Sequence, residues 1–307
     1  MLKCMQICRL YLWRAEDGAD LPRSCRARSA PLARSDGLHM KNAQVRSGIS
    51  PSNRQATDGG LTVRERLSIA ISRELKDGEV VVTGAASAIP LAACLLAQAR
   101  HAPSLTILGA GVYINPRRLV PEFTAGWNCD PVAIADMSDV FSITELGIDV
   151  MFYGGMQIDR YGSVNLHYIP TPTGMLRGPG LANSVLGHTA ARTILYTERH
   201  DRRTLVGLVD YASVIGHARH GRSRAELGLP NAGPSALFTP DVLFRPDSRG
   251  MFVPARAMRP LQWDDVMART GWPMPAEPPE AFEAEAEEVQ TLRRFIDPGG
   301  LLAARRT

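Results

Sequence analysis

The chain has 307 residues, 45% hydrophobic, 21% charged and 6% aromatic, which is enough apolar material for one or two cores and excludes a disordered or collagen-like chain. The formal charge of +4 resides in the leader: residues 1–60 carry 10 Lys+Arg against 5 Asp+Glu, and residues 61–307 carry 25 against 26. A neutral folded part offers no phosphate-backbone footprint, so nucleic acid is not an expected partner. Of the five cysteines, Cys4, Cys8 and Cys25 lie in the leader, Cys94 sits in an apolar run, and Cys129 follows alone. An odd count with such a buried thiol fits a reducing cytoplasm better than a disulfide framework. The longest apolar stretch, Ala88 to Ala99, is far short of the roughly 20 residues of a spanning helix, so no membrane partner is expected.

The first sixty residues show neither a helical nor a strand period, and Lys3 and Arg9 interrupt their only apolar opening. They read as an unstructured leader, or as the product of an upstream start with Met40 the true one. Thr62-Val63-Arg64-Glu65 has the form of a capping box, and Val63, Leu67, Ile71 and Leu75 follow at steps of four, which predicts an amphipathic helix ending near Gly78. Glu79 to Gly84 is a β-branched run suited to a strand buried on both faces. Ser87 is placed to cap a second helix, with Pro90 tolerated in its first turn, running to about Ala99. Leu105 to Leu108 is the next strand. This helix-strand alternation predicts an open, mostly parallel α/β sheet flanked by helices, with one domain over residues 61–307.

Further strands are predicted at Ile148–Tyr153, Arg192–Thr197 and Thr204–Asp210, and an antiparallel edge hairpin over Asp241–Arg256. A proline-rich link leads to a last helix whose Phe282, Val289, Leu292, Phe295 and Ile296 share a face, stopped by Asp297-Pro298-Gly299.

Few motifs carry chemistry by themselves. Gly109-Ala110-Gly111 follows a strand, but the third glycine of a dinucleotide fingerprint is replaced by Ile114, so a tight turn is the better reading. His217 and His220 lack a third ligand nearby in sequence, and no metal is expected. No Gly-x-Ser-x-Gly elbow occurs. The stretch Gly154 to Asn165 carries Gln157, Asp159 and Asn165 between glycines, which suits either a binding loop or a turn whose Asp and Asn satisfy their own backbone. Gly178-Pro179-Gly180-Leu181-Ala182-Asn183 precedes an apolar run, where small residues let backbone N–H groups approach an anion or a carbonyl oxygen. Arg199, His200, Arg202 and Arg203 form a basic patch between strands, more simply a solvated turn than a phosphate site.

Taken in order, Gly154 to Asn165, Gly178 to Asn183, Glu198 to Arg203 ahead of Val209-Asp210-Tyr211, Arg224 to Pro230 and Ile296 to Gly299 resemble the β subunit of the family I CoA-transferases, closest to the glutaconate type, over about Thr62 to Gly300. The resemblance implies a CoA-transferase-like sheet, an α subunit of related fold, an active site at an α/β hetero-oligomer interface, and a coenzyme A thioester as substrate with no tightly bound cofactor. It places Gly178, Gly180 and Asn183 at the thioester end of the acyl-CoA, with Gln157 and Asn165 framing the same cleft.

Two departures stand out. Family members carry Glu-Ser-Gly after the second strand, and that glutamate attacks the thioester. Here Gly109 takes its place, so no catalytic residue is assigned to this chain, and Glu122 and Glu145 lie too far along the backbone to substitute. Leu181 stands where a glycine is common. A branch that similarly lacks the glutamate opens a ring of a cyclic β-keto acyl-CoA by hydrolysis, with a carboxylate of the α subunit as base. The residues therefore favour hydrolytic C–C cleavage over CoA transfer, with a non-catalytic scaffold subunit as the third reading.

Overall fold

A computed structural model describes residues 60–123, 127–136, 138–139, 142–143, 147–180 and 184–304; the leader with Met40, Glu145, and Leu181 to Asn183 lie outside the described residues. In chain order the elements are α1 (Val63–Ser72), β1 (Val80–Thr83), α2 (Ala88–Arg100), β2 (Thr106–Gly109), β3 (Tyr113–Pro116), β4 (Pro131–Ile134), β5 (Val150–Tyr153), β6 (Gln157–Asp159), β7 (Val164–Asn165), β8 (Tyr168–Thr171) and β9 (Gly174–Arg177). Then come α3 (Ser184–Thr189), β10 (Arg192–Tyr196), β11 (Leu205–Val206), β12 (Ala218–Arg219), β13 (Arg222–Ser223), β14 (Pro234–Phe238), β15 (Val242–Pro246), β16 (Phe252–Ala257), α4 (Trp263–Arg269) and α5 (Ala286–Thr291).

Nine strands form one open sheet in the order β16-β15-β14-β10-β5-β1-β2-β3-β4. The five central strands, β14 to β2, run parallel, as the helix-strand alternation predicts. Both edges are antiparallel, because β2 turns directly into β3 and β14 directly into β15, and a short turn can only reverse the chain. The β15–β16 pair is the edge hairpin expected over Asp241–Arg256. Side chains alternate between the sheet's two faces: Val81, Ile107, Phe152 and Ile194 join the core beneath α1 and α2, while Val80, Val82, Leu108, Met151 and Leu195 join a second core beneath α3 and α4. Each such side chain buried contributes about 2 kcal/mol, so the two faces together hold the strand ends in place.

The capping box forms as the sequence predicts: Thr62 Oγ1 accepts from the Glu65 N–H at 3.2 Å, and Glu65 Oε2 accepts from the Thr62 N–H at 2.8 Å. Two expectations for α1 fail. It ends at Ser72, well before Gly78, and it is buried around almost its whole circumference rather than amphipathic. The reason is tertiary, since the chain's C-terminal segment covers its outer face. Thr62 Oγ1 donates to the Leu302 carbonyl, Arg64 to that of Leu301, and Arg293 reaches Glu65 at 2.7 Å. Burial pushes the Glu65 carboxyl up, but the Arg293 and Thr62 bonds outweigh it and hold its pKa below the usual glutamate value.

Three further expectations are corrected. Thr204–Asp210 yields only the two-residue β11, which pairs with β6 in a separate three-stranded sheet instead of joining the main one. Ser87 stands at the start of α2 but makes no capping bond: its backbone lies at φ −123°, ψ 57°, outside the extended conformation of a cap, and its hydroxyl accepts from the Tyr196 Oη–H at 3.4 Å. The last helix is not one continuous face: Phe282 lies in an extended segment bonded to the Ala257 carbonyl, and α5 passes into a π-helical turn, Leu292–Ile296. The wider turn rotates Phe295 off the apolar stripe, leaving it 66% exposed under the Arg294 guanidinium, while Val289, Leu292 and Ile296 stay against the core. Among the described residues no helix is long and apolar enough to cross a membrane.

Thr62→Ala removes the cap of α1 and its tie to Leu302 together. It is expected to lower unfolding free energy by about 1–2 kcal/mol in urea denaturation, with an unchanged m-value.

Candidate active site

In an open parallel sheet, ligands bind beyond the carboxyl ends of the strands, at the place where the order of strands reverses. Here that place lies between β1 and β5. From β1 the chain crosses through α2 to β2 on one side, and the later strands β5, β10 and β14 are laid down successively on the other. A cleft of about 420 Å³ opens at this point, walled by Ala86 after β1, the Gly154-Gly155-Met156 loop after β5, and Tyr196 at the end of β10 with Thr197 to Arg199 beyond it. Ile169 of β8 and Leu176 of β9, directly opposite each other in their hairpin, form an apolar rim.

Glycines set the shape of the wall. A Cβ on Gly155 would meet Val164 Cγ1 at 2.6 Å and the Gln157 carbonyl at 2.9 Å, so only glycine lets the loop turn tightly against β6 and β7. The polar lining comes chiefly from the segment after β10: Thr197, Glu198, Arg199, Arg203 and Thr204. Glu198 is held by Arg64 of α1, its carboxylate 3.5 Å from the buried guanidinium Nε. Arg199 and Arg203 are exposed on the cleft's flank and give it positive charge.

Most of the residues that the sequence singled out stand one layer behind this wall. The Gly154–Asn165 stretch is a small hairpin, β6–β7, whose turn is closed by Asp159 Oδ1 accepting from Tyr161 N–H at 3.0 Å and Ser163 N–H at 2.9 Å. Burial pushes the Asp159 carboxyl up, and the amide donors from Ser163, Tyr161 and Val209 offset part of that rise. Gln157 and Asn165 are buried and tied to each other. Asn165 Nδ2 donates to Gln157 Oε1 at 2.8 Å and to the Tyr168 carbonyl at 2.7 Å, and Gln157 Nε2 donates to Asp210 at 2.7 Å. Gly178 and Gly180 anchor the return of the β8–β9 hairpin, donating to the His167 and Leu166 carbonyls at 2.8 and 2.9 Å, with Gly178 against the Met156 sulfur beneath the cleft wall. Asn183 lies outside the described residues.

The basic patch is also rearranged. His200 leaves it and is buried, sharing hydrogen bonds with Thr239 at 2.8 Å and Thr270 at 3.0 Å. Burial lowers its pKa to about 4 and the nearby Arg269 and Arg259 charges act in the same sense, against the opposing pull of Asp241. In the sequence Glu198 stands out only as the first residue of a motif. Its position directly past the carboxyl end of a parallel strand was the signal that it lines the site.

At the end of β2, Gly109 pairs with Thr83 of β1 on one side and Tyr113 of β3 on the other. A Cβ there would lie 2.5 Å from Cζ and 2.6 Å from Cε1 of Phe123, a buried ring stacked on Tyr113 at 5.4 Å. The turn after Gly109 is the tight one expected, with Ala110 at φ +50° and Gly111 at φ +79°.

Residues 64–226 match the family model described as coenzyme A transferase, more than half of the chain and all three walls of the cleft. The chain belongs to the coenzyme A transferase family. Among curated relatives, the B subunit of 3-oxoadipate CoA-transferase from Pseudomonas knackmussii is 28% identical, covering 69% of this chain and 83% of its own length. The B subunit of glutaconate CoA-transferase from Acidaminococcus fermentans is 27% identical, covering 78% and 93%. Among solved structures, a variant of the decarboxylase AibA/AibB superposes with TM-score 0.64 at 25% identity, covering 78% of this chain and 97% of that one. Glutaconate CoA-transferase from Acidaminococcus fermentans superposes with TM-score 0.68 at 22% identity, covering 81% and 100%, which shows the same fold. As a member of this family, the chain carries the expected α/β sheet and, at position 109, a glycine.

Two outcomes follow from the buried polar groups. Asn165→Ala strands the Gln157 and Tyr168 groups that it satisfies and should cost about 3 kcal/mol in chemical denaturation, a stability defect rather than a selective loss of ligand binding. His200 binds its proton less readily folded than unfolded, so its contribution makes stability fall as pH drops from about 6.5 to about 4 and adds nothing further below. Denaturation midpoints across that range should fall more steeply for the native chain than for His200→Gln.

Proposed function

We propose that this chain is the B subunit of a heteromeric enzyme that cleaves a carbon–carbon bond of an acyl-CoA by hydrolysis, opening a cyclic β-keto acyl-CoA with the base supplied by a carboxylate of the partner subunit. One observation carries the reading: position 109 bears no side chain, and an aromatic ring stands in the space one would need. Transfer of CoA between acids by this family's route requires a carboxylate there, to attack the thioester and carry CoA as a glutamyl thioester. Support also comes from the relative AibA/AibB, whose name as a decarboxylase denotes C–C bond cleavage on the same fold.

In the proposed reaction the partner's carboxylate takes a proton from water, and the oxygen adds to the ring ketone. Collapse of the tetrahedral adduct breaks the bond between the ketone carbon and the α-carbon. The electron pair passes to the α-carbon and is delocalised into the thioester carbonyl as an enolate, and a proton at that carbon completes a ring-opened acid still bound to CoA. This chain's part is binding and shape. Arg199 and Arg203 meet the anionic substrate, the glycine loop after β5 brings backbone close to the thioester, and Ile169 with Leu176 shield the acyl group from water.

Hydroxylamine added during turnover of the assembled enzyme should leave no glutamyl hydroxamate on any peptide of this chain, and all CoA should remain in the ring-opened product. A hydroxamate on a glutamate of this chain would sink the reading in favour of transfer. Glu198→Gln should leave turnover within about threefold, whereas a loss of about a hundredfold or more would move the base into this chain.

A further inference from the structure

Val81 and Ile107 are cross-strand partners on the face of the sheet covered by α1 and α2, and Thr83 and Gly109, two residues on, share that face. Phe123 belongs to the same core, and its backbone N–H is bonded to the Ala85 carbonyl at 2.9 Å, in the loop that carries Ala86 into the cleft. The ring is thus pinned over the ends of β1 and β2. Beside it the Thr83 hydroxyl is buried, 1% exposed, with no hydrogen-bond partner. An orphaned buried hydroxyl is costly and uncommon, and here it adjoins the spot from which a side chain is missing. The two observations are independent: a phenyl ring fills the volume that a side chain at 109 would need, and a polar neighbour that such a side chain could satisfy is left unpaired.

We infer that Phe123 sets the reaction class of this subunit: its ring closes the nucleophile position, so the chain is barred from covalent catalysis by packing and not only by the loss of one carboxylate. This rests on the proposed function and goes further, because it states that restoring the acid alone does not restore the chemistry. Gly109→Glu in the presence of the ring has nowhere to put its side chain. With Phe123→Ala as well, the carboxylate has room, and the Thr83 hydroxyl has an acceptor. An oxygen of the introduced carboxylate then attacks the thioester carbonyl, the C–S bond breaks, and CoA leaves as thiolate from an acyl–glutamyl anhydride. The thiolate next attacks the glutamyl carbonyl, releasing the free acid and leaving CoA as a glutamyl thioester.

The test compares Gly109→Glu, Phe123→Ala and the double variant, each assembled with its partner subunit, by melting temperature and by intact mass after incubation with succinyl-CoA. Gly109→Glu is expected to melt several degrees below the native chain, with the double variant above it. Thr83→Val should raise the native melting temperature by about 2 °C, since it removes the orphaned hydroxyl, and should lower that of the double variant. A CoA adduct cleaved by hydroxylamine is expected in the double variant alone. The inference is overturned if Gly109→Glu melts with the native chain, if it forms the adduct with Phe123 in place, or if the double variant melts no higher than Gly109→Glu. It is overturned as a statement about reaction class if the double variant regains stability and forms no adduct. An adduct on the native chain is a separate result, which refutes the proposed function and leaves the packing claim to the melting data.

Discussion

The structure depends on one constraint of parallel sheets. Neighbouring parallel strands need crossovers, and where successive crossovers leave to opposite sides, no segment can cover the strand ends between them. The β1–β5 pair is that place, with β2 on one flank and β10 on the other. The cleft is therefore a product of strand order, and its lining comes from whatever residues happen to follow those strands: small ones after β1 and β5, charged ones after β10. The two apolar faces of the sheet hold these ends at fixed spacing, and the C-terminal segment locks α1 onto the same frame through Thr62, Arg64 and Glu65.

Within that frame the site divides into a buried, hydrogen-bonded inner layer and an outer layer that lines the cleft. Asp159, Gln157 and Asn165 are buried and use their polar atoms on the β6–β7 hairpin and its neighbours, which makes them the support of the Gly154-Gly155 loop. The outer layer carries Glu198 against Arg64, the two exposed arginines, and the apolar rim of the β8–β9 hairpin. A buried amide network is valuable here for the same reason that it is inert: every member is satisfied, so the loop above it has one geometry.

Membership of the coenzyme A transferase family fixes the sheet and the place of the cleft, but a fold hosts more than one reaction. On the proposed function, position 109 is what separates them. Local sequence shows only that a glycine follows a strand there, and a glycine reads equally well as a turn residue. Its meaning comes from Phe123, fourteen residues away, and from Thr83 on the adjacent strand, neither of which has any sequence feature pointing to the site.

Local and periodic features were legible in the amino-acid order alone. The Thr62–Glu65 capping box, the β-branched run of β1, the apolar run of β5, the β15–β16 hairpin and the bare position at the end of β2 could all be read there, because propensity, capping and alternation act over a few residues. Packing settled what depends on contacts distant in sequence: that α1 is buried all round by the chain's C-terminal segment, that Leu205–Val206 leaves the main sheet to pair with β6, that His200 is drawn inside between Thr239 and Thr270, and that Glu198 faces the cleft. The physical reason is common to all four. A side chain's orientation relative to its own backbone is set by its neighbours in sequence, but which surface that orientation meets is set by packing energy shared among segments scores of residues apart, and no local pattern encodes it.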